Sequence, residues 1–125
     1  MKQKEDSFLL GRLKSFKYAL TGLYKLITTE DSIISQLCIG TIVMIAGWYF
    51  DISRTEWMFQ ILALGLVLSI EGLNTAVEKI ADFIHPDYHK KIGFIKDISA
   101  GAVTFAALTA VVIGLFIYLP KIFNL

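Results

Sequence analysis

Apolar and polar positions along the chain fall into four blocks of different character. In residues 8–29, Leu9, Leu13, Phe16, Leu20, Leu23 and Ile27 recur at three- and four-residue spacing. Arg12, Lys14, Ser15, Lys17, Thr21 and Lys25 fill the positions between. This pattern predicts a basic amphipathic helix, suited to lying in a membrane interface with its lysines among headgroups. Residues 33–50 are apolar apart from Ser35, Gln36 and Thr41. Eighteen residues make about 27 Å of helix, close to the thickness of a hydrocarbon core. Residues 57–84 and 98–119 read as two further spans, the first longer than a bilayer needs. Between them, Pro86 biases His85 away from helix and predicts a loop over 85–91. Gly93 predicts a further turn, and Pro120 an end to the last span.

The second long span carries an unusual face. At about 100° per residue, Glu71, Asn74, Thr75, Glu78 and Asp82 fall within roughly 100° of arc, opposite Leu73, Val77, Ile80 and Ile84. In the thirteen residues before Glu71, only Gln60 and Ser69 are polar. A carboxylate so far inside an apolar segment is costly, and marks a functional site or a polar contact between helices.

Composition agrees with a membrane assignment. The 125 residues are 55% hydrophobic, and the mean hydropathy is +0.62. The expected fold class is therefore an all-α membrane protein, one membrane domain over 1–125, behind a disordered lead of residues 1–7. The net charge of +1 offers no general attraction to nucleic acid. The single cysteine, Cys38, has no partner within the chain for a disulfide. The placing of basic residues says more than their total. Six precede the first span, one lies in the turn after it, four fall in 79–97 and one follows the last span. The positive-inside rule then puts the N-terminus and the 79–97 region in the cytoplasm, and the C-terminus outside.

With that topology Glu71 sits roughly 9 Å below the cytoplasmic boundary, counted at 1.5 Å per residue. Glu30, Asp31, Glu78, Lys96 and Asp97 are expected at the boundary itself. Carboxylates there suit a hard cation such as Mg²⁺, which keeps waters and carries nucleotide phosphates. Glu30 and Glu78 are the natural pair of metal ligands, Lys96 can offset phosphate charge, and Glu71 can accept a proton from a lipid alcohol. Metal, charge clamp and base together make a phosphoryl-transfer site. No soluble-kinase or P-loop signature occurs. From these residues alone a membrane enzyme acting on lipid headgroups competes with an oligomeric ion channel or proton relay.

The motif Glu71-x-x-Asn74-Thr75-Ala76-x-Glu78, followed by Lys96-Asp97-x-x-Ala100-Gly101-Ala102-Val103, resembles the signature of the prokaryotic diacylglycerol kinase family, which includes undecaprenol kinases. Lys14-Ser15-Phe16-Lys17-Tyr18-Ala19, Gly22 and Glu30 extend the resemblance over nearly the whole chain. It implies three transmembrane helices and a surface helix, a homotrimer with sites shared between protomers, and use of ATP with Mg²⁺ in the bacterial inner membrane. It implies Glu71 as catalytic base facing the lipid hydroxyl, and Glu30 and Glu78 as metal-binding acids. Asn74, Lys96, Asp97, Asp87, Tyr88, His89 and Tyr18 match residues around the nucleotide. Arg12 stands one position from the family's N-terminal arginine. Gln36 and Phe94 stand where some diacylglycerol kinases carry an acid and an arginine. The 100–103 segment reads more like the undecaprenol kinase branch.

Overall fold

A computed structural model describes residues 7–125. The expected lead falls almost wholly outside them, as do Lys2 and Lys4 of the charge count. Among the described residues the secondary structure is entirely helical: α1 (Phe8–Thr29), α2 (Asp31–Tyr49), α3 (Arg54–Ile84) and α4 (Lys90–Ile122). The last three are each long and apolar enough to cross a membrane. The chain is a membrane protein.

Each boundary has a local cause. The Ser7 hydroxyl accepts from the Leu10 amide and opens α1. Ser53 opens α3 with a reciprocal pair: its hydroxyl takes the Glu56 amide at 3.1 Å, and the Glu56 carboxylate takes the Ser53 amide at 3.0 Å. Asp51 supplies the tight turn before it with φ 50°, in the left-handed region that a short polar side chain tolerates. Only Glu30 separates α1 from α2. Its extended backbone (φ −106°, ψ 109°) ends one helix and caps the next.

Two expected ends differ from the observed ones. Gly93 makes no turn, and α4 begins at Lys90, eight residues before the expected span. The His89 ring Nδ1 accepts from the Lys91 amide at 3.1 Å and caps the helix. The Tyr88 ring covers Gly93, so close that a Cβ there would come 3.2 Å from Cε2. The cost of one helical glycine, about 1 kcal/mol, is outweighed because these first turns pack on the emerging end of α3. Pro120 does not stop α4, which continues to Ile122. Only Lys121 and Ile122 of the helix follow it, so the lost amide bond and any kink at the proline ring displace little. The Leu125 amide still reaches the Pro120 carbonyl at 2.9 Å.

The three spans run up, down and up. Gly40 and Gly47 of α2 face α3, where a Cβ would come 2.7 Å from Leu64 and 2.8 Å from Trp57. These glycines let the two backbones approach closely. Trp57 packs over Gly47, while Trp48 is 79% exposed. α4 lies antiparallel along α3 with Tyr118 opposite Gln60. The Tyr118 hydroxyl donates to the Gln60 amide oxygen, and the Gln60 Nε2 reaches the Val43 carbonyl of α2 at 3.4 Å. These contacts tie all three spans together at one depth. They also satisfy a glutamine only 5% exposed.

Charged pairs mark both ends of the bundle. Lys121 meets Glu56 at 3.3 Å, and Lys79 meets Glu30 at 3.4 Å. Along α3 these levels are 23 residues apart, roughly 35 Å at 1.5 Å per residue. That separation matches a bilayer core with a margin at each side.

Candidate active site

The buried seam of α3 is Gln60, Ala63, Val67, Glu71 and Ala81. From Gln60 to Glu71 its steps are of three and four residues, those of one helix face, and Ala81 follows ten residues on. Glu71 therefore continues a face that points into the protein, and it is 9% exposed. Leu73 and Ile80, on the opposite face, are exposed. The polar stripe thus faces inward at depth and the apolar side faces outward, as a lipid environment requires. Asn74 follows one turn on. Its side-chain oxygen is buried and has no hydrogen-bond partner among the described residues. Gly72 admits α1 here, since a Cβ would come 3.3 Å from the Leu26 side chain.

One turn further the acidic side chains are more open, although Ala81 beyond them stays buried. Glu78 is exposed and Glu30 half-buried. The Glu30 Oε1 takes the Thr29 hydroxyl at 3.2 Å and the Lys79 ammonium at 3.4 Å. Its place at the single-residue break between α1 and α2 aims it at α3. Lys96, on the early turns of α4, meets Asp82 at 2.6 Å. Neither ion pair joins two of the residues nominated from sequence. Each joins one of them to a residue on a single turn of α3 that the sequence left unassigned. Asp82, the last acid of the polar stripe, is the partner of Lys96.

The remaining nominees lie around this layer. Asp97 is exposed one residue beyond Lys96, and Asp31 one beyond Glu30. Asp87, Tyr88 and His89 form the exposed loop between α3 and α4, where the Asp87 carbonyl lies 2.6 Å from the His85 Nδ1 and the two histidine rings meet edge to face. Tyr18 and Arg12 are exposed on α1. An apolar groove of about 410 Å³ runs between α2, α3 and α4, with Gln36, Gly40, Val67 and Tyr118 on its walls. Glu71 is not on its lining, so the groove is separate from the acidic layer.

Among the described residues no three histidine, cysteine or acidic side chains are gathered into a ready cage for a metal. Mg²⁺ does not need one, because it keeps several waters and takes only one or two carboxylates beside phosphate. The donors present suit it. Glu30 and Glu78 offer hard oxygens, and Glu30 already holds a cationic group, the Lys79 ammonium.

Gln60 and Tyr118 were not singled out from sequence. A glutamine in the run 58–70 was visible, but its partner lies 58 residues away. Lys79 was visible only as one of several positive charges.

The family model described as prokaryotic diacylglycerol kinase matches residues 17–118. The undecaprenol kinase of Bacillus subtilis (strain 168) is 37% identical over 123 residues, covering 98% of this chain and all of that protein. The diacylglycerol kinase of Synechocystis is 32% identical over 114 residues, 90% of this chain and 65% of the relative. That of Escherichia coli (strain K12) is 36% identical over 70 residues, 56% of this chain and 57% of the relative. The matched region covers the first two spans and all but the last four residues of α4, with each nominated residue except Arg12, and the chain belongs to the prokaryotic diacylglycerol kinase family, a family of lipid kinases.

Proposed function

We propose that this chain transfers the γ-phosphoryl group of ATP to the hydroxyl of a membrane lipid alcohol, diacylglycerol or undecaprenol, at the cytoplasmic face of a bacterial inner membrane. The observation that carries the reading is the pair Glu71 and Asn74: a buried carboxylate and, one turn on, a buried amide oxygen without a partner among the described residues. Buried polar atoms are nearly always satisfied. An orphan beside a carboxylate, inside a lipid-facing helix, is waiting for a group from outside the protomer.

In this reading Glu71 accepts the proton of the lipid hydroxyl as the hydroxyl oxygen attacks the γ-phosphorus and the bond to the β–γ bridging oxygen breaks, releasing ADP, and Asn74 orients the groups beside it. Glu30 and Glu78 would hold Mg²⁺, which supplies neutralisation of the charge spread over the transferred phosphoryl oxygens. Lys96 adds a second positive charge at the phosphates. Asp97, with Asp87, Tyr88 and His89 of the loop, borders the nucleotide, and Tyr18 and Arg12 reach it from α1. The depth step suits this division. Glu71 lies eight residues before Lys79, roughly 12 Å deeper, where a lipid hydroxyl can sit and a nucleotide cannot.

Residues 1–125 act as one membrane domain, with α1 in the interface. Along α1, Leu9, Leu13, Phe16 and Leu23 are all exposed, an apolar face that headgroup-level lipid would cover. The protein works as a homotrimer. Gly101 of α4 has open space around it, and small residues there let a neighbouring helix approach. Mass measurement in detergent is expected to give three protomers; a fully active monomer would remove this assignment. A reporter fused after Leu125 is expected to lie outside the membrane, and a cytoplasmic reporter reverses the topology.

The test of the reaction uses purified protein in lipid, radiolabelled ATP and a panel of lipid alcohols. Label is expected in a phosphorylated lipid, and only when Mg²⁺ and an alcohol are both present. Label in no lipid of the panel would overturn the assignment.

A further inference from the structure

The two ion pairs at the cytoplasmic end share a logic that the reaction above does not use. Each matches an assigned group with its opposite charge from one turn of α3. Glu30, assigned to the cation, is held by the ammonium of Lys79 at 3.4 Å. Lys96, assigned to phosphate, is held by the carboxylate of Asp82 at 2.6 Å. We infer that Lys79 and Asp82 are placeholders, Lys79 standing in for the metal ion at Glu30 and Asp82 for a phosphate oxygen at Lys96. The inference rests on the metal and nucleotide roles proposed for Glu30 and Lys96.

Geometry and exposure both favour exchange over a permanent bond. Lys79 and Asp82 are three residues apart, on one face of α3. Together they tie the break between α1 and α2, and the early turns of α4, to the same turn of α3. The Lys79 side chain is 69% exposed and that of Asp82 58%. Exposed pairs like these contribute little and separate readily. A flexible lysine stem can swing away when a divalent ion arrives, while its charge keeps Glu30 aimed at the site beforehand. Lys79 and Asp82 are thus positioning residues, and each competes with the ligand it imitates.

Competition gives an effect of unusual sign. The test uses the full chain in lipid, with Mn²⁺ as a paramagnetic probe and a non-hydrolysable ATP analogue. Lys79→Gln should lower the Mn²⁺ concentration for half-saturation by about three- to tenfold, the size of one like charge removed in a water-like setting. Lys79→Arg should stay within about twofold. Asp82→Asn should tighten analogue binding at saturating Mn²⁺ by a similar factor. Hydrogen exchange supplies the second readout. In ligand-free Lys79→Gln, amides 30–34 should exchange faster, and the difference should vanish once Mn²⁺ and the analogue are bound. A purely structural lysine would loosen the junction and weaken Mn²⁺ binding together. Unchanged or weaker Mn²⁺ binding in Lys79→Gln, with clear weakening in Glu30→Gln, overturns the placeholder role and leaves the metal assignment standing. No weakening in Glu30→Gln overturns both.

Discussion

Glu71→Gln is expected to lower the turnover of lipid phosphorylation by a factor on the order of 10²–10⁴, the range for loss of a general base, with the affinity for Mg-ATP nearly unchanged. The glutamine keeps the shape and can still hydrogen-bond, so the substitution removes proton acceptance and little else. Depth predicts the split. Glu71 is buried on α3, while Glu78, two turns on, is exposed and Glu30 half-buried. Stability should not suffer, because the change takes an ionisable group out of a site only 9% exposed. Nucleotide binding, steady-state turnover and an unfolding midpoint in detergent check the three parts. Loss of Mg-ATP binding in this variant would mean that Glu71 serves the metal and that the depth argument is mistaken.

Glu78→Gln should do the reverse. The Mg²⁺ concentration for half-maximal rate is expected to rise about tenfold, with much of the rate recovered at high Mg²⁺. Coulomb attraction at contact distance falls between about 1 kcal/mol per unit charge in water and about 4 at a protein surface. Glu78 is exposed, so the aqueous end governs; the double charge of the cation raises the loss toward about 2 kcal/mol, and salt screening lowers it again, which leaves it on the order of tenfold, about 1.4 kcal/mol. Glu30→Gln should resemble it. Glu30 is half-buried and also holds Lys79, so its loss should in addition loosen the break between α1 and α2. A Glu78→Gln enzyme with normal Mg²⁺ dependence and low turnover would exchange the roles of the two acids.

Glu71 and Glu78 are seven residues apart on one helix, almost the same direction around its axis. Only depth distinguishes them. The charged pairs at both ends of the bundle give that depth a scale, since the Glu56–Lys121 and Glu30–Lys79 levels bracket one bilayer thickness. Packing at the end beyond the acidic layer is separate from the chemistry. Gln60, Tyr118 and the Val43 carbonyl hold the three spans in register there, which fixes the depth of everything further along α3.

Most of the helical plan was legible along the chain because lipid imposes a strong local rule: some twenty apolar residues, ended by charge or a turn. The three apolar spans follow from it. The spacing of Glu71, Asn74 and Glu78 was legible for the same reason, since one helix carries all three. Helix ends were less so. Gly93 and Pro120 are breakers by their own preferences, yet α4 runs through both, because contact with α3 outweighs a cost of one or a few kcal/mol. Only the gap at Gly47 shows where the Trp57 ring goes. The partners of Glu30 and Lys96 were beyond reach for a deeper reason. Lys79 and Asp82 lie 49 residues after Glu30 and 14 before Lys96. Their local pattern fits a solvated turn as well as it fits two ion pairs. The amino-acid sequence by itself determined which residues enter the membrane and which face of α3 carries the acids, since both depend on neighbours within a few turns. Only the tertiary structure decided which charges meet, because that depends on how three helices are set side by side.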